Sequence, residues 1–433
     1  MANFSSGIKI NEFYFVFHSL IRNFETLSLY YSRSGIKINE IYFVFHSLIR
    51  TFVIEIHNIM KRRDFLALSA TGIVGLALSS FPLSMLAKGR GEKSYSLILL
   101  GDTHFDVDPA TVYHANYMEK TDWLNKVQRA EFARNGEMWK DRCPRLLRRA
   151  NQLIDKDTRM VLQMGDLVQG DCGDGEVHKK MLADALDRMK GELNGLPFVS
   201  VVGNHDIRGV DAKQAYHQFM PGRMSQELGK TVTKTTFGFN IGDDAYIFID
   251  FNNPDDVEID RLLDETKGAR HTFIVTHGPV FPADNNSCRW IFHGGGSKAE
   301  TEARRHFRQA FAKRNAIVLC GHIHTTEFMD WYGDGGRITQ MTMSSVWTSE
   351  KQKTYTVRSE GADQYGMRRE KRRQEGEDLK DERALFDEYR PGIRQYTNSS
   401  AQGCYKLNVS KKHVTIDFYA GDSEEVSKQF VIR

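Results

Sequence analysis

The chain has 433 residues, of which 27% are charged, and a formal net charge of only +3. This length allows two domains, and so small a net charge gives no general reason to expect nucleic-acid binding. The five cysteines do not form a disulfide framework, and a bridge between Cys172 and Cys288 is disfavoured. We expect one large α/β domain once the first ninety residues are set aside.

The first 59 residues contain a near-perfect duplication. The stretch 6–12 recurs as 34–40, and the stretch 14–22 recurs as 42–50. Two copies are too few for a solenoid, which needs three or more repeats. We interpret 1–59 as an over-extended reading frame that is absent from the mature protein, with translation starting at Met60. An amphipathic membrane element is the alternative.

Residues 60–90 have the pattern of a twin-arginine-type export signal. The paired arginines Arg62 and Arg63 are followed by a Phe-Leu pair and then by an uncharged, glycine- and serine-containing run up to Ala87. A buried helix or an uncleaved membrane anchor is the alternative interpretation. We predict an exported protein, periplasmic or extracellular, with no stable transmembrane segment once the signal is removed.

From residue 94 onwards, short apolar runs alternate with helical stretches such as 175–190. Continuous β-branched runs that stop at glycine are typical of strands buried on both faces. The predicted strands cover 96–100, 160–164, 198–202, 245–249, 272–275, 316–320, 404–409 and 414–419. This alternation predicts an α/β fold with the functional loops at one end of the sheet.

Two insertions interrupt the predicted domain of 94–433, at about 106–157 and 349–400. The first is rich in aromatic residues and arginines, so it could form a wall or lid over the site, although for any one aromatic residue packing within a helical hairpin is favoured. These residues are Tyr113, His114, Tyr117, Trp123, Arg129, Phe132, Arg134, Trp139 and Arg142. The second insertion contains the charge run 368–373, which predicts an exposed helix or a mobile loop.

Five short motifs each follow a predicted strand. They are Asp102-Thr103-His104, Gly165-Asp166, Gly203-Asn204-His205-Asp206, Thr276-His277-Gly278 and Gly321-His322-Ile323-His324. We expect the glycines to permit backbone angles that a Cβ blocks, and the i, i+2 pairs to share a direction on extended backbone. Carboxylate, imidazole and amide ligands suit borderline divalent ions such as Mn, Fe, Zn or Ni. The ligands suffice for two divalent metal ions if one carboxylate bridges them, and such a pair favours displacement at phosphorus.

The ordered set resembles the calcineurin-like metallophosphoesterase superfamily, whose pattern of D-x-H, G-D, G-N-H-[DE], H and G-H-x-H is complete here. The resemblance implies two packed mixed β-sheets flanked by helices. It implies that Asp102, His104, Asp166 and His324 hold one ion, and that Asn204, His277 and His322, with Asp166 bridging, hold the second. By the same resemblance, His205 stabilises the transition state or protonates the leaving oxygen, and Asp206 holds its ring. The nucleophile would be a hydroxide bridging the two ions.

These features predict an exported, metal-dependent phosphoesterase that acts on phosphomonoesters or phosphodiesters. The aromatic first insertion favours a diester or nucleotide-like substrate, and Arg208 is a weaker candidate for contacting the phosphate. The alternative is a non-catalytic metal-binding scaffold of the same fold. It is disfavoured because every ligand of the motif set is present.

Overall fold

The computed structural model describes residues 94–107, 111–117, 121–283, 290–366 and 380–433. The duplicated segment 1–59, the predicted signal 60–90, Cys288 and the charge run 368–373 lie outside these residues. In the part of the chain that is described, no helix is both long enough and apolar enough to cross a membrane.

The described residues form two mixed β-sheets. The strands are β1 Ser94–Leu100, β2 Thr158–Gln163, β3 Phe198–Ser200, β4 Phe237–Ile241, β5 Asp244–Ile249, β6 Thr272–Thr276, β7 Ile317–Cys320, β8 Thr326–Gly333, β9 Gly336–Thr342, β10 Val357–Glu360, β11 Ile393–Ser399, β12 Gly403–Ser410, β13 Val414–Ala420 and β14 Lys428–Val431. The six-stranded sheet has the order β14-β13-β12-β1-β2-β3, and the eight-stranded sheet has the order β10-β11-β8-β9-β7-β6-β5-β4. Strands β1 to β3 are mutually parallel, as are β5 to β7. Their carboxyl ends therefore meet at one edge of each sheet.

Helices cover the outer faces of both sheets. They are α1 Thr111–His114, α2 Asp122–Lys140, α3 Arg142–Gln152, α4 Gly175–Glu192, α5 Ala212–Leu228, α6 Asp256–Glu265, α7 Lys298–Lys313 and α8 Lys380–Tyr389. Short 3₁₀ turns occur at His205–Ile207, Glu350–Gln352, Ala362–Gln364 and Arg390–Gly392. The helix α7 begins with a capping box between Ser297 and Glu300, which satisfies the first free backbone N–H groups.

The alternation of side chains along the strands assigns the two sides of the eight-stranded sheet. Phe273 and Val275 of β6 join the core shared with the six-stranded sheet, whereas Ile274 joins the core under the outer helices. Between the sheets, the Tyr95 hydroxyl lies 2.7 Å from the Tyr246 hydroxyl. The result is a helix–sheet–sheet–helix sandwich, which confirms the predicted fold class.

The aromatic residues of the first insertion pack inward. Tyr113, Tyr117, Phe132 and Trp139 are all buried, and the His114 ring stacks on Phe132 with ring centroids 3.7 Å apart. These four aromatic residues therefore do not form a substrate wall, and the interpretation that they pack within the insertion is confirmed. The physical reason is the apolar surface of each large ring. Moving that surface out of water and onto the inner side of α1 and α2 lowers the free energy of the folded protein.

The second insertion contributes to the fold more than its charge suggests. Strand β11 pairs with β8 inside the eight-stranded sheet, and β10 pairs with β11. Helix α8 buries Leu385, Phe386 and Tyr389. The expectation of an exposed helix or mobile loop is wrong for 380–399, because apolar residues one and four positions apart give α8 a buried face.

His178 of α4 ties that helix to the turn that follows β3. Its side chain is fully buried, and its Nε2 lies 2.7 Å from the Asp206 carbonyl oxygen, to which a neutral ring donates. Burial lowers the pKa of His178 to about 4, although the hydrogen bond to the Asp206 carbonyl acts in the opposite direction. The folded state therefore requires a neutral His178, whereas the unfolded chain protonates it near pH 6.5.

We expect His178 to make the protein less stable in mild acid. The stability that the neutral His178 contributes is fully present above pH 6.5 and is lost as the pH falls towards 4. Between pH 7 and pH 5 this lowers the free energy of unfolding by about 2 kcal/mol. Denaturant unfolding at both pH values should show a smaller acid loss in His178→Gln, with the exposed His306→Gln variant as control. An acid loss equal in all three proteins would contradict this assignment.

Candidate metal centre

The five sequence motifs meet where parallel strands end. Asp102 follows β1, Asp166 follows β2, and the turn His205–Ile207 follows β3. On the other sheet His277 follows β6 and His322 follows β7. The two groups are joined directly, because the His322 backbone N–H donates to the Asp102 carboxylate at 3.0 Å.

At most of the motif glycines, the missing Cβ lets a neighbouring motif approach the backbone closely, and the backbone angle itself is not unusual. A Cβ on Gly203 would lie 2.1 Å from the Asp166 backbone nitrogen, and one on Gly321 would lie 2.8 Å from an Asp102 carboxylate oxygen. Among the motif glycines, Gly165 has a positive φ, +84°. The prediction that glycine supplies the sharp turn is thus confirmed at Gly165, whereas at Gly203 and Gly321 the space is occupied by the neighbouring motif.

Four of the predicted ligands themselves adopt the left-handed backbone conformation. They are His104, Asp166, His322 and His324, with φ of 42°, 51°, 74° and 51°. The backbone is therefore not extended across the i, i+2 pairs, so the condition for their two side chains to share a direction is not met. Each such residue costs roughly 1–2 kcal/mol, and backbone hydrogen bonds hold the conformation, since the N–H groups of Thr103 and His104 both donate to the Asp166 carbonyl.

The first donor cluster consists of Asp102, His104, Asp166 and His324. One ligand atom from each lies within 4.8 Å of all the others. The Nε2 atoms of His104 and His324 are 3.0 Å apart, and His324 Nε2 is 3.6 Å from an Asp102 oxygen. This set of two carboxylates and two imidazoles suits a borderline divalent ion.

The second donor cluster consists of Asp166, His277 and His322, again within 4.8 Å of one another. His277 Nε2 lies 3.2 Å from an Asp166 oxygen. The Asn204 side-chain oxygen adds a further donor, 2.9 Å from His322 Nδ1 and 3.2 Å from His277 Nε2. The structure therefore brings all seven predicted ligands together, with the Asp166 carboxylate common to both clusters.

Three of the four ligand histidines are in the neutral form that binds a metal, whereas His277 would have to release a proton when an ion binds. Burial lowers the pKa of His104, His324 and His322, the last to about 3, so these rings are neutral. Burial also acts to lower the pKa of His277, but the Asp166 and Asp102 carboxylates outweigh it and raise that pKa to about 9. The centre thus attracts a positive charge to the space between His277 and Asp166, which fits a cation site.

Gln169 orients two histidines of the centre, and the sequence analysis missed it. Its side-chain oxygen lies 3.1 Å from His104 Nδ1, which leaves His104 Nε2 directed at the cluster. Its backbone carbonyl lies 2.9 Å from His205 Nδ1. The Asn135 amide of α2 donates to the same Gln169 side chain, so the first insertion supports the centre from outside. The available signal was its place three residues after Asp166, in the loop that leaves the site.

His205 lies against the first cluster, with its ring centroid 4.4 Å from that of His104. Because Nδ1 faces the Gln169 carbonyl, it carries the proton, and Nε2 accepts from the Arg208 guanidinium at 3.0 Å. Arg208 is in turn held by Asp171, whose carboxylate accepts from Nε at 2.7 Å. A guanidinium therefore stands at the open nitrogen of the ring.

The predicted contact between Asp206 and the His205 ring is replaced by a different one. The two Asp206 oxygens accept backbone N–H groups from Val168 at 3.1 Å and from Gly203 at 2.8 Å. Asp206 therefore joins the loops after β2 and β3, and Gln169 positions the ring instead. Burial raises the pKa of Asp206 to about 7, because the carboxylate is enclosed beside Asp166.

Trp290 is a second residue that the motifs did not reveal. Its indole ring stacks on the His322 ring, with centroids 5.4 Å apart, and it is 52% exposed. It lies in the loop after β6, thirteen positions beyond His277, and a lone exposed tryptophan in a loop carries no periodic pattern by which to find it.

Several solved structures are similar to this chain. GAP50, the anchor in the inner membrane complex of Plasmodium, is 14% identical, with 78% of this chain and 89% of that chain covered and a TM-score of 0.41. The purple acid phosphatase PPD1 from yellow lupin seeds is 9% identical, with 79% and 54% covered and a TM-score of 0.46. PhoD is 11% identical, with 78% and 68% covered and a TM-score of 0.39. The chain thus spans about half the length of the lupin phosphatase.

The sequence itself matches a family model. No curated protein gives a significant match to the chain. The model of the calcineurin-like phosphoesterases matches residues 95–326, which is more than half of the chain and includes all five motifs. The protein therefore belongs to the calcineurin-like phosphoesterase family.

Proposed function

We propose that the protein is a binuclear-metal hydrolase of phosphate monoesters or diesters. The observation that carries this proposal is that two donor clusters share the Asp166 carboxylate. Within each cluster, the ligand atoms lie within 4.8 Å of one another. Two dications held by one shared carboxylate form a clamp suited to in-line displacement at phosphorus.

The charge of such a centre favours an anionic ester. Asp102 and Asp166 contribute two negative charges, whereas two divalent ions contribute four positive ones, so the loaded site stays positive. When bound, the ions would neutralise phosphoryl oxygens and make a water molecule more acidic. His205 and Arg208 lie beside the first cluster, where the Arg208 guanidinium is placed to donate to a phosphoryl oxygen. His205 would donate to a phosphoryl or leaving oxygen once its Nε2, which here accepts from Arg208, takes up a proton.

The role of Gln169 in this function is to fix ring orientation. A side-chain oxygen at 3.1 Å from His104 Nδ1 keeps the proton on that nitrogen and leaves the Nε2 lone pair for the ion. Its carbonyl fixes the tautomer of His205 in the same way. One residue therefore aligns a metal ligand with the ring that faces the phosphate.

We further propose that the protein is exported. The support is the pair Arg62 and Arg63 with the uncharged run from Phe65 to Ala87, which together have the composition of a twin-arginine-type signal. The match to the family model starts at residue 95, beyond the proposed signal.

We expect the protein to hydrolyse p-nitrophenyl phosphate or bis-p-nitrophenyl phosphate in the presence of Mn, Zn, Ni or Fe. His205→Ala should lower kcat by about 10²–10⁴, the usual contribution of a group that donates a proton or a hydrogen bond in the transition state. The assay is steady-state release of p-nitrophenol, and His306→Ala is the matched surface control.

Esters with poorer leaving groups separate the two roles of His205. A larger loss with alkyl phosphates than with p-nitrophenyl phosphate identifies it as the acid for the leaving oxygen, and an equal loss identifies it as a donor to the phosphoryl group. Full activity of His205→Ala, or turnover that needs no metal, would contradict the proposal.

We expect Gln169→Leu to weaken metal binding by about 10–100-fold, because the His104 ring loses its orienting partner. Gln169→Glu should restore the affinity, since a carboxylate also accepts from Nδ1. Calorimetric titration of metal-free protein measures both, with Gln128→Leu, a residue that contacts Arg208, as the control. Equal affinities in wild type and Gln169→Leu would remove Gln169 from the account.

A further inference from the structure

Trp290 leaves an aromatic face open to solvent beside the second donor cluster. Its indole stacks on His322 with an angle of 27° between the ring planes, and half of its surface is exposed. His322 Nδ1 is itself 2.9 Å from the Asn204 oxygen of that cluster. The open indole face thus belongs to a ring that stacks directly on a predicted metal ligand.

The other exposed large aromatic side chains of the described residues are placed differently. Trp123 is 69% exposed in the first turn of α2, and Tyr332 is 44% exposed with the Arg337 guanidinium 5.5 Å from its ring centre. Of the aromatic rings of the first insertion that were considered for contact with the substrate, all but Trp123 are buried. Trp290 is thus an accessible aromatic side chain that stacks on a predicted metal ligand, His322.

The surroundings of Trp290 distinguish the two sides of the site. Beside the first cluster lie His205 and Arg208, and the Arg208 guanidinium is a polar donor. Beside the second cluster, Trp290 and the half-buried Phe251 both lie next to the His322 ring, with centroids 5.4 and 5.8 Å from it. The second cluster is therefore flanked by aromatic rings, whereas the first is flanked by a guanidinium.

We propose that Trp290 stacks on a planar group of the substrate, a nucleobase or an aryl ring joined to the scissile phosphate. This inference rests on the proposed function, which puts the phosphate at the metal centre. An indole face stacks on any flat ring and removes its apolar surface from water, whereas an aliphatic substituent gains much less. Trp290 is thus a specificity-determining residue for esters that carry such a ring.

A merely structural role for Trp290 makes a different prediction. If the indole served to cover His322, its removal would weaken metal binding and would slow all esters alike. If it binds the substrate, its removal lowers the preference for ring-bearing esters and leaves metal affinity as it was.

The experiment compares pairs of esters in which one member carries one more planar ring than the other. Adenosine 5′-monophosphate is paired with ribose 5-phosphate, and bis-p-nitrophenyl phosphate with methyl p-nitrophenyl phosphate, which has the same leaving group. The full chain, Trp290→Ala and Trp290→Phe are assayed for kcat and KM on all four, with Trp123→Ala as the exposed-tryptophan control. Calorimetry of metal binding accompanies each variant.

We expect Trp290→Ala to lower the preference for the ring-bearing ester about tenfold, equivalent to about 1.4 kcal/mol, mainly through KM. Trp290→Phe should retain part of the preference. A change confined to the nucleotide pair identifies a nucleobase, and one confined to the nitrophenyl pair identifies an aryl group. Unchanged ratios, or a uniform loss that follows metal affinity, would overturn the inference.

The proposed function and this inference fail in distinguishable ways. If wild type hydrolyses none of the four esters with any metal, the proposed function is wrong. Calorimetric titrations of the protein with adenosine 5′-monophosphate and with ribose 5-phosphate then still test the stacking, because binding is measured without turnover. Stacking predicts tighter binding of the nucleotide, and Trp290→Ala should abolish that difference. Equal binding of both ligands to wild type would overturn the inference on that route.

Discussion

The site depends on the position of one carboxylate, that of Asp166. Its backbone is left-handed and directly follows Gly165, which is also left-handed, so the chain reverses sharply at the end of β2. One side-chain oxygen accepts the His205 N–H at 2.7 Å, and the other faces His277 at 3.2 Å. The backbone carbonyl of Asp166 binds the N–H groups of Thr103 and His104. Three motifs are therefore held in register by one residue, and both donor clusters include it.

Strained backbone and buried charge are concentrated at this point, and they are stable only together. Four ligands in the left-handed region and two enclosed carboxylates would each cost free energy in isolation. They are compensated by hydrogen bonds between motifs, such as that from the His322 N–H to Asp102, and by the imidazoles, which together lower the pKa of Asp166 well below its usual range against the effect of burial. A folded scaffold in which these costs are already compensated is preorganised to bind cations.

The sequence predicted the parts of the molecule that follow from local pattern. Apolar runs that stop at glycine located the central strands, and the position of each motif after a strand, together with the family resemblance, indicated seven ligand candidates. It did not predict the contacts of Asp206 and Gln169, because these depend on which loop passes behind the site. It also left open whether Tyr113 and Phe132 pack inward or meet the substrate, since composition shows that a ring is present but not which side of a helix it faces. Trp290 was missed because a single exposed aromatic residue has no periodicity.

The most direct test of a centre built on Asp166 is anomalous X-ray diffraction from crystals of the protein soaked with manganese. The account predicts two anomalous peaks about 4 Å apart, one among Asp102, His104, Asp166 and His324 and the other among Asp166, Asn204, His277 and His322. In Asp166→Asn crystals at least one peak should disappear, whereas in the exposed Asp264→Asn control both should remain. A single peak in the wild-type protein, or two that persist in Asp166→Asn, would contradict the account.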